Sequence, residues 1–471
     1  MSFQIARYAV GGVVFFVSLA AFSATQRAFN FQAHVDFATG SGPAGVVTAD
    51  FNGDGHADLA ICNEFGNTVT VLLGNGDGTM QTGTDYPVGG SPSSIVEGDF
   101  NGDGKADVAV TNAFDNDLSV LLGNGDGTFH PQVNFPVSSL PHGVAANDFN
   151  GDGILDLAVA NNNSGTVSIL FGNGDGTFQR HKDYPAAAGA DAIGAGDFNH
   201  DAKPDIAVGS NVCCFDSGKL SILINNGDGT FSTHVDYGDE EVDSIAIGDV
   251  NRDGNPDLVT ANFALSDAAV WLGNSNGTFQ NRVYYATDTH PEKAALDDFN
   301  GDLQTDIVTA NINNSSVSVL AGNGDGTFQG HVDFLVGGGV GAFDVASADL
   351  NDDGAPDLSV VNVDVNVVAI LLNRNGTFVV TTSSRSRSKF GTPVTFTTTV
   401  MASVARGFTP TGSITFKDGT TTIGTAPLVN GLAEITTSQL SAGAHQIRAK
   451  YSGNGKFNPH VAATIRQTVV Q

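Results

Sequence analysis

Several features are scarce in this 471-residue sequence, and each scarcity closes off a class of protein. Its three cysteines, Cys62 in a predicted strand and the adjacent Cys213 and Cys214 in an inserted loop, are an odd number that makes no disulfide framework. Charged residues are only 15%, there is a single tryptophan, and no long stretch follows a helical period beyond the N-terminus, so the chain reads as all-β. Lys and Arg number 20 against 50 Asp and Glu. Residues 1–380 hold 11 cations against 48 acids (11 − 48 = −37), a charge that repels a phosphate backbone and excludes nucleic acid as a partner of that region. Residues 381–471 hold 9 against 2 (+7), and their basic run Ser384–Lys389 reads as a solvated loop or strand edge. Apolar runs are scarce too. The one candidate, Ala9–Phe22 after Arg7, is shorter than the ~20 residues of a membrane span and is followed by small residues, so residues 1–24 read as a secretory signal peptide with no transmembrane segment after it. Catalytic signatures are missing: HExxH does not occur, and the one GxSxG match, Gly273–Gly277, lacks the strand-to-helix setting of a nucleophile elbow.

What the chain has is a repeat. An eleven-residue pattern, DFNGDGKADVA in its fullest form, opens at Asp50, Asp99, Asp148, Asp197, Asp249, Asp298 and Asp349, at spacings of 49, 49, 49, 52, 49 and 51 residues. A period near 50 exceeds that of helical solenoids, roughly 20 to 35 residues, and suits four-stranded propeller blades. The second copy displays the four strand-like stretches at Pro92–Phe100, Asp107–Asn112, Leu118–Asn124 and Phe129–Val137. The third of them ends in a second motif, GNGDGTF, whose Asn-Gly and Asp-Gly pairs are turn chemistry. The segment Asn30–Gly40 resembles the fourth strand at Thr327–Gly337 yet stands before the first blade, so it is predicted to be the outer strand of blade seven, closing the ring. The expected fold is all-β: a seven-bladed propeller over residues 29–378, then a small immunoglobulin-like sandwich over 379–471.

The Asp-rich repeat carries the chemistry. Positions 1, 3, 5 and 9 are side-chain oxygens that a tight loop turns inward, and the carbonyl of position 7 adds a fifth. The candidate ligands are Asp50, Asn52, Asp54, His56 and Asp58; Asp99, Asn101, Asp103, Lys105 and Asp107; Asp148, Asn150, Asp152, Ile154 and Asp156; Asp197, Asn199, Asp201, Lys203 and Asp205; Asp249, Asn251, Asp253, Asn255 and Asp257; Asp298, Asn300, Asp302, Gln304 and Asp306; and Asp349, Asn351, Asp353, Ala355 and Asp357. In each set the fourth residue contributes only its backbone carbonyl. Hard oxygens with no His or Cys side chain placed as a ligand point to Ca²⁺, up to seven ions, because three carboxylates in one small loop repel one another without a cation. Position 12 is not Glu and a strand follows, so this is not an EF-hand. Polar Asx turns that merely join strands are the alternative. Position 6 is Gly except for Ala202 and Leu303, so the weakest sites are expected in blades six and four.

The order DFNGDGxxDLAV then TVSVLLGNGDGTF resembles the FG-GAP/VCBS repeat family, bacterial relatives of the integrin α-subunit propeller, over about Phe29 to Phe378. The resemblance implies a seven-bladed propeller with Ca²⁺ in its Asp loops and ranks extracellular binding or adhesion ahead of catalysis. The Thr- and Val-rich tail resembles a bacterial immunoglobulin-like repeat domain.

Strand order predicts that the Asp loops and the GNGDG turns share one face of the ring. The opposite face carries the loops that differ most between repeats, with Phe65, Phe114, Phe215 and Phe263 placed either to stack on a sugar or peptide or to pack in the core. The expected partner is an extracellular glycan or protein. The alternatives are a polysaccharide-degrading enzyme, for which Glu292, His290 and His142 are the candidates, and a structural spacer.

Overall fold

The computed structural model describes residues 29–211, 218–238, 241–338, 340–352, 355–373, 377–402, 409–453, 460–462 and 464–470. The segment expected to be a signal peptide, Cys213, Cys214, Phe215 and the seventh loop's Asp353 lie outside them. Every described element is a strand.

Seven four-stranded antiparallel sheets follow one another, each beginning with an inner strand such as Pro43–Ala49 and ending with an outer one such as Thr84–Pro87. The inner strands of neighbouring blades lie against one another around the axis, and that of blade seven, Ala342–Ala348, contacts that of blade one, which closes the ring. Burial explains the sequence of each strand. Second strands such as Asp58–Asn63 (DLAICN) and Asp107–Asn112 (DVAVTN) are buried along their whole length, covered on both faces by adjacent blades, and so read as unbroken apolar runs. Outer strands such as Val133–Pro136 are largely exposed.

The predicted clasp forms. Val35–Ala38 pairs antiparallel with the third strand of blade seven, Val367–Leu371, with Val35 opposite Ile370 and Ala38 opposite Val367. Phe31 adds a bridge to Asn373. Phe31 also takes the place that the Phe of the GNGDGTF turn holds elsewhere, lying 6.0 Å from Phe299 and 5.2 Å from Phe334.

That aromatic contact is the general joint between blades. Phe51, at position 2 of the first Asp loop, meets Phe129 of the next blade's turn at 5.5 Å, and Tyr86 meets the same ring edge-on at 5.4 Å. The pattern recurs as Phe100–Phe178, Phe149–Phe231 and Phe198–Phe279. A backbone bond accompanies it: the amides of Gly127, Gly176 and Gly277 donate to the carbonyls of Phe51, Phe100 and Phe198. The turns themselves are wider than tight hairpins, because Gly123 bridges to Phe129 and the outer strand begins only at Val133.

The C-terminal domain is a sandwich of two sheets. One has the order Thr377–Ser383, Val394–Ala402, Leu432–Thr437. The other runs Arg387–Lys389, Ile465–Val470, Gly443–Tyr451, Ser413–Asp418, Thr421–Pro427. Phe396, Ile414, Phe416, Ile447 and Tyr451 fill the space between them. The strand Thr377–Ser383 pairs antiparallel with Val394–Ala402 at the start of this domain.

Candidate functional site

Two sites come together on opposite faces of the ring. On the first, the Asp loop of blade one is a set of nested Asx turns. Asp50 accepts the amides of Gly53, Asp54 and Gly55, Asn52 accepts that of Asp54, and Asp54 accepts that of His56. Third and fourth loops repeat the pattern around Asp148 and Asp197. The backbone makes this turn with positive φ at position 6, as expected: Gly55 has φ 87°, Gly104 80°, Gly153 83° and Gly254 87°, while Ala202 and Leu303 are held at 64° and 69°. Position 4 is left-handed as well, which the repeat pattern did not reveal. Glycines stand there in the first three loops and the sixth, but His200, Arg252 and Asp352 adopt φ of 60°, 63° and 55° in the fourth, fifth and seventh.

Position 9 has a role that sequence reasoning missed. Asp58 is fully buried, with Oδ2 accepting the amide of Phe51 at 2.9 Å and Oδ1 that of Gly74 at 2.7 Å. Asp107, Asp156, Asp205, Asp257, Asp306 and Asp357 each accept the corresponding two amides. Each therefore ties the start of its loop to the start of the GNGDG turn. The constant interval of 16 positions between the ninth residue of the motif and that turn's first residue in most blades was the available signal. Burial pushes the carboxyls of Asp107, Asp156, Asp205 and Asp257 up to about 6, and the charges at positions 5 and 1 push the same way. Asp306, the most enclosed, rises to about 8.

Two lysines partly compensate the charge in these loops: Lys105 Nζ lies 3.2 Å from Asp103 and Lys203 Nζ 3.6 Å from Asp201. His56 Nδ1 lies 2.8 Å from Asp352 of blade seven. Among the described residues no three His, Cys, Asp or Glu side chains gather into a cage by themselves, so a bound ion would draw on the Asn and main-chain oxygens as well.

On the opposite face, the starts of the inner strands converge on a cavity of about 260 Å³ at the ring axis. Glu64, His142, Asp191, Asp243, Glu292 and Lys293 supply its polar lining, and Phe114 and Phe343 its aromatic lining. His142 Nδ1 is 2.5 Å from Asp191. Asp243 accepts from Asn211 Nδ2 and the Phe263 amide, and burial pushes it up to about 7. Burial, with the neighbouring Asp243, pushes Glu292 to about 7 as well.

Of the three residues proposed for catalysis, Glu292 and His142 share this cavity. His290 does not line it; its ring lies 4.3 Å from that of Phe263. Of the four phenylalanines, Phe65 and Phe114 are 67% and 76% exposed, which removes the core reading for both. Phe114 belongs to the cavity wall. Asp191 and Asp243 were not anticipated: they stand one repeat apart, at the same position of blades four and five, and the repeat register was the signal that could have found them.

Comparison with known proteins matches FG-GAP-like repeats at residues 51–110, 99–159, 148–208, 211–260 and 298–360, and a bacterial Ig-like domain of group 3 at residues 380–470. No curated protein matches. Among solved structures, the extracellular domain of a putative one-component system from B. thetaiotaomicron aligns at 8% identity and a TM-score of 0.47, over 94% of this chain and 59% of that one.

Proposed function

Because the chain belongs to the FG-GAP-like repeat family and ends in a bacterial Ig-like domain, we propose that it is an extracellular Ca²⁺-stabilised propeller that binds a glycan or protein through the face opposite its Asp loops. The observation that carries this reading is the axial cavity, where side chains from several different blades meet beside the exposed Phe114 ring. A volume of about 260 Å³ suits one sugar ring or one side chain. Carboxylates and His142 supply hydrogen-bonding groups, and the aromatic ring supplies a stacking surface.

The Asp loops fit Ca²⁺ by their donor set. Oxygens at positions 1, 3 and 5, the carbonyl of position 7 and the second lone pairs of the position-9 carboxylate would hold it. The ion would supply positive charge to a crowded acidic turn and so brace the joint between neighbouring blades.

A second reading draws on one observation. Glu292 and Asp243, both raised to about 7 in one cavity, are suited to standing one protonated and one ionised, the states that the acid and the base of polysaccharide cleavage need. The test is a glycan and protein array probed with the full chain in Ca²⁺, alongside Glu292→Gln and Phe114→Ala. Retained array binding that both variants reduce supports the binding module; product release from a bound polysaccharide, lost in Glu292→Gln, supports the enzyme. Binding indifferent to both variants would remove the cavity from the function.

A further inference from the structure

The Ig-like domain carries a charge pattern that the propeller reading leaves unused. Along Gly443–Tyr451, buried and exposed residues alternate, so Gln446, Arg448 and Lys450 point away from the core. Pairing registers place further cations on the same outer face. Lys417 stands opposite Arg448, and Lys450 opposite Thr415. Arg466 stands opposite Gln446, one row along. Arg387 stands opposite Thr468, which is itself opposite Ala444, a further row along, and Lys389 follows opposite Val470. Four adjacent strands thus contribute to a diagonal stripe running Lys417, Arg448, Arg466, Arg387 and Lys389, with Lys450 beside its start. Diagonal neighbours on a sheet lie ~7–8 Å apart.

Among the described residues no acid forms an ion pair with these cations. Asp418, next to Lys417, is taken up by the buried His445 and the Gln446 amide, and Glu434, on the other sheet, accepts from Thr397. Among the described residues the His445–Asp418 pair is the domain's one ion pair. Lys417 and Arg448 are directly opposed like charges, an arrangement that destabilises a sheet. A fold that retains it without a neutralising acid presents a surface suited to an anion from outside.

We infer that this face binds a linear acidic polysaccharide, one bearing sulfate or uronate groups. The stripe fits an extended chain better than a globular partner, because the cations lie in one line across the strands. Thr415, Thr468 and Gln446 lie between the cations and offer hydrogen bonds to sugar hydroxyls, and Phe390, 63% exposed, follows Lys389 at the stripe's end as a stacking ring. Duplex DNA is the competing polyanion; its two phosphate backbones spread charge over a wide cylinder, whereas the stripe is a single line of cations. The basic run Ser384–Lys389, expected to be solvated edge, gives two of its cations to the stripe. This site is separate from the propeller cavity and does not depend on it.

The experiment measures binding of heparin and of polygalacturonate to the full chain across a NaCl series, with dextran and a 20-base-pair DNA duplex as comparisons. Binding should weaken with salt, and Arg448→Ser with Arg466→Ser should reduce affinity about tenfold or more and lower the salt slope by about one per cation removed. Lys417→Glu separates binding from folding: it should raise the melting temperature of this domain by pairing Arg448, yet weaken polyanion binding. Arg180→Ser, which removes an exposed cation of the propeller outside both sites, should leave this binding unchanged. No binding of either acidic chain at low salt, equal binding of the variants, or duplex DNA bound as tightly as the polysaccharides would overturn the inference.

Discussion

Leu303 and Ala202 occupy a left-handed turn that glycine fills in the first, second, third and fifth loops, and His200, Arg252 and Asp352 occupy a second one. For a non-glycine residue the left-handed region costs roughly 1–2 kcal/mol, less for His and Asp. The fourth loop carries two such residues, His200 and Ala202, and the sixth carries one, so the fourth competes with the sixth as the weakest proposed Ca²⁺ site. Leu303→Gly should tighten its site roughly five- to thirtyfold, and the double change His200→Gly with Ala202→Gly should do at least as much for the fourth. Calcium titration calorimetry reads both; a sixth site already as tight as the first would show that strain in the turn does not reach the metal. The position-6 glycines were legible from the sequence because their exceptions stood out. Position 4 was not, since His, Arg and Asp there looked like ordinary surface variation until φ was known.

The clasp is the element on which ring closure depends. Removing residues 29–40 deletes the outer strand Val35–Ala38, leaves Val367–Leu371 as an open edge and takes Phe31 from between Phe299 and Phe334. The truncated protein should melt well below the parent or aggregate; a deletion that melts like the parent would mean the ring holds without its clasp. The blade joint is tested by Phe129→Ala, which removes the ring that Phe51 and Tyr86 both contact and should destabilise the propeller by about 3–5 kcal/mol in chemical denaturation. In the Ig-like domain, burial lowers the pKa of His445, but the Ser441 carbonyl and Asp418 outweigh it and the net shift is upward. A raised histidine contributes stability that is complete below its ordinary value of 6.5 and is lost as pH rises through the folded value. An NMR titration should place His445 above 6.5, and in Asp418→Asn it should fall.

At the scale of the whole molecule, acidity and the proposed calcium are one question. Asp107, Asp156, Asp205 and Asp257, raised to about 6, hold protons more tightly folded than in the unfolded chain at 3.8. Between those values the folded state binds more protons, so stability falls as pH rises. Metal-free propeller should therefore melt higher at pH about 5.5 than at about 7.5, whereas Ca²⁺, which favours the ionised carboxylates, should raise the melting temperature chiefly at neutral pH. Thermal unfolding with chelator and with Ca²⁺ at both pH values checks this; identical melting in all four conditions would remove the metal from the account.

Read alone, the sequence determined the blade count, the strand order, the clasp and the shared face of Asp loops and GNGDG turns. These follow from local chemistry repeated at a fixed period: turn residues at constant offsets and apolar runs between them force the same unit each time, and units that cannot bury their own faces must stack. Tertiary structure alone decided what lies between the units. The position-9 aspartates became ties rather than simply candidate ligands because the loop and the turn, 16 residues apart, meet on them. His142, Asp191, Asp243 and Glu292 stand at one equivalent position of four successive blades, 49, 52 and 49 residues apart, but the side chain there changes from blade to blade and nothing in the repeat marks it as a lining position. They share a cavity because seven sheets close around one axis, and closure sets distances that no local pattern encodes.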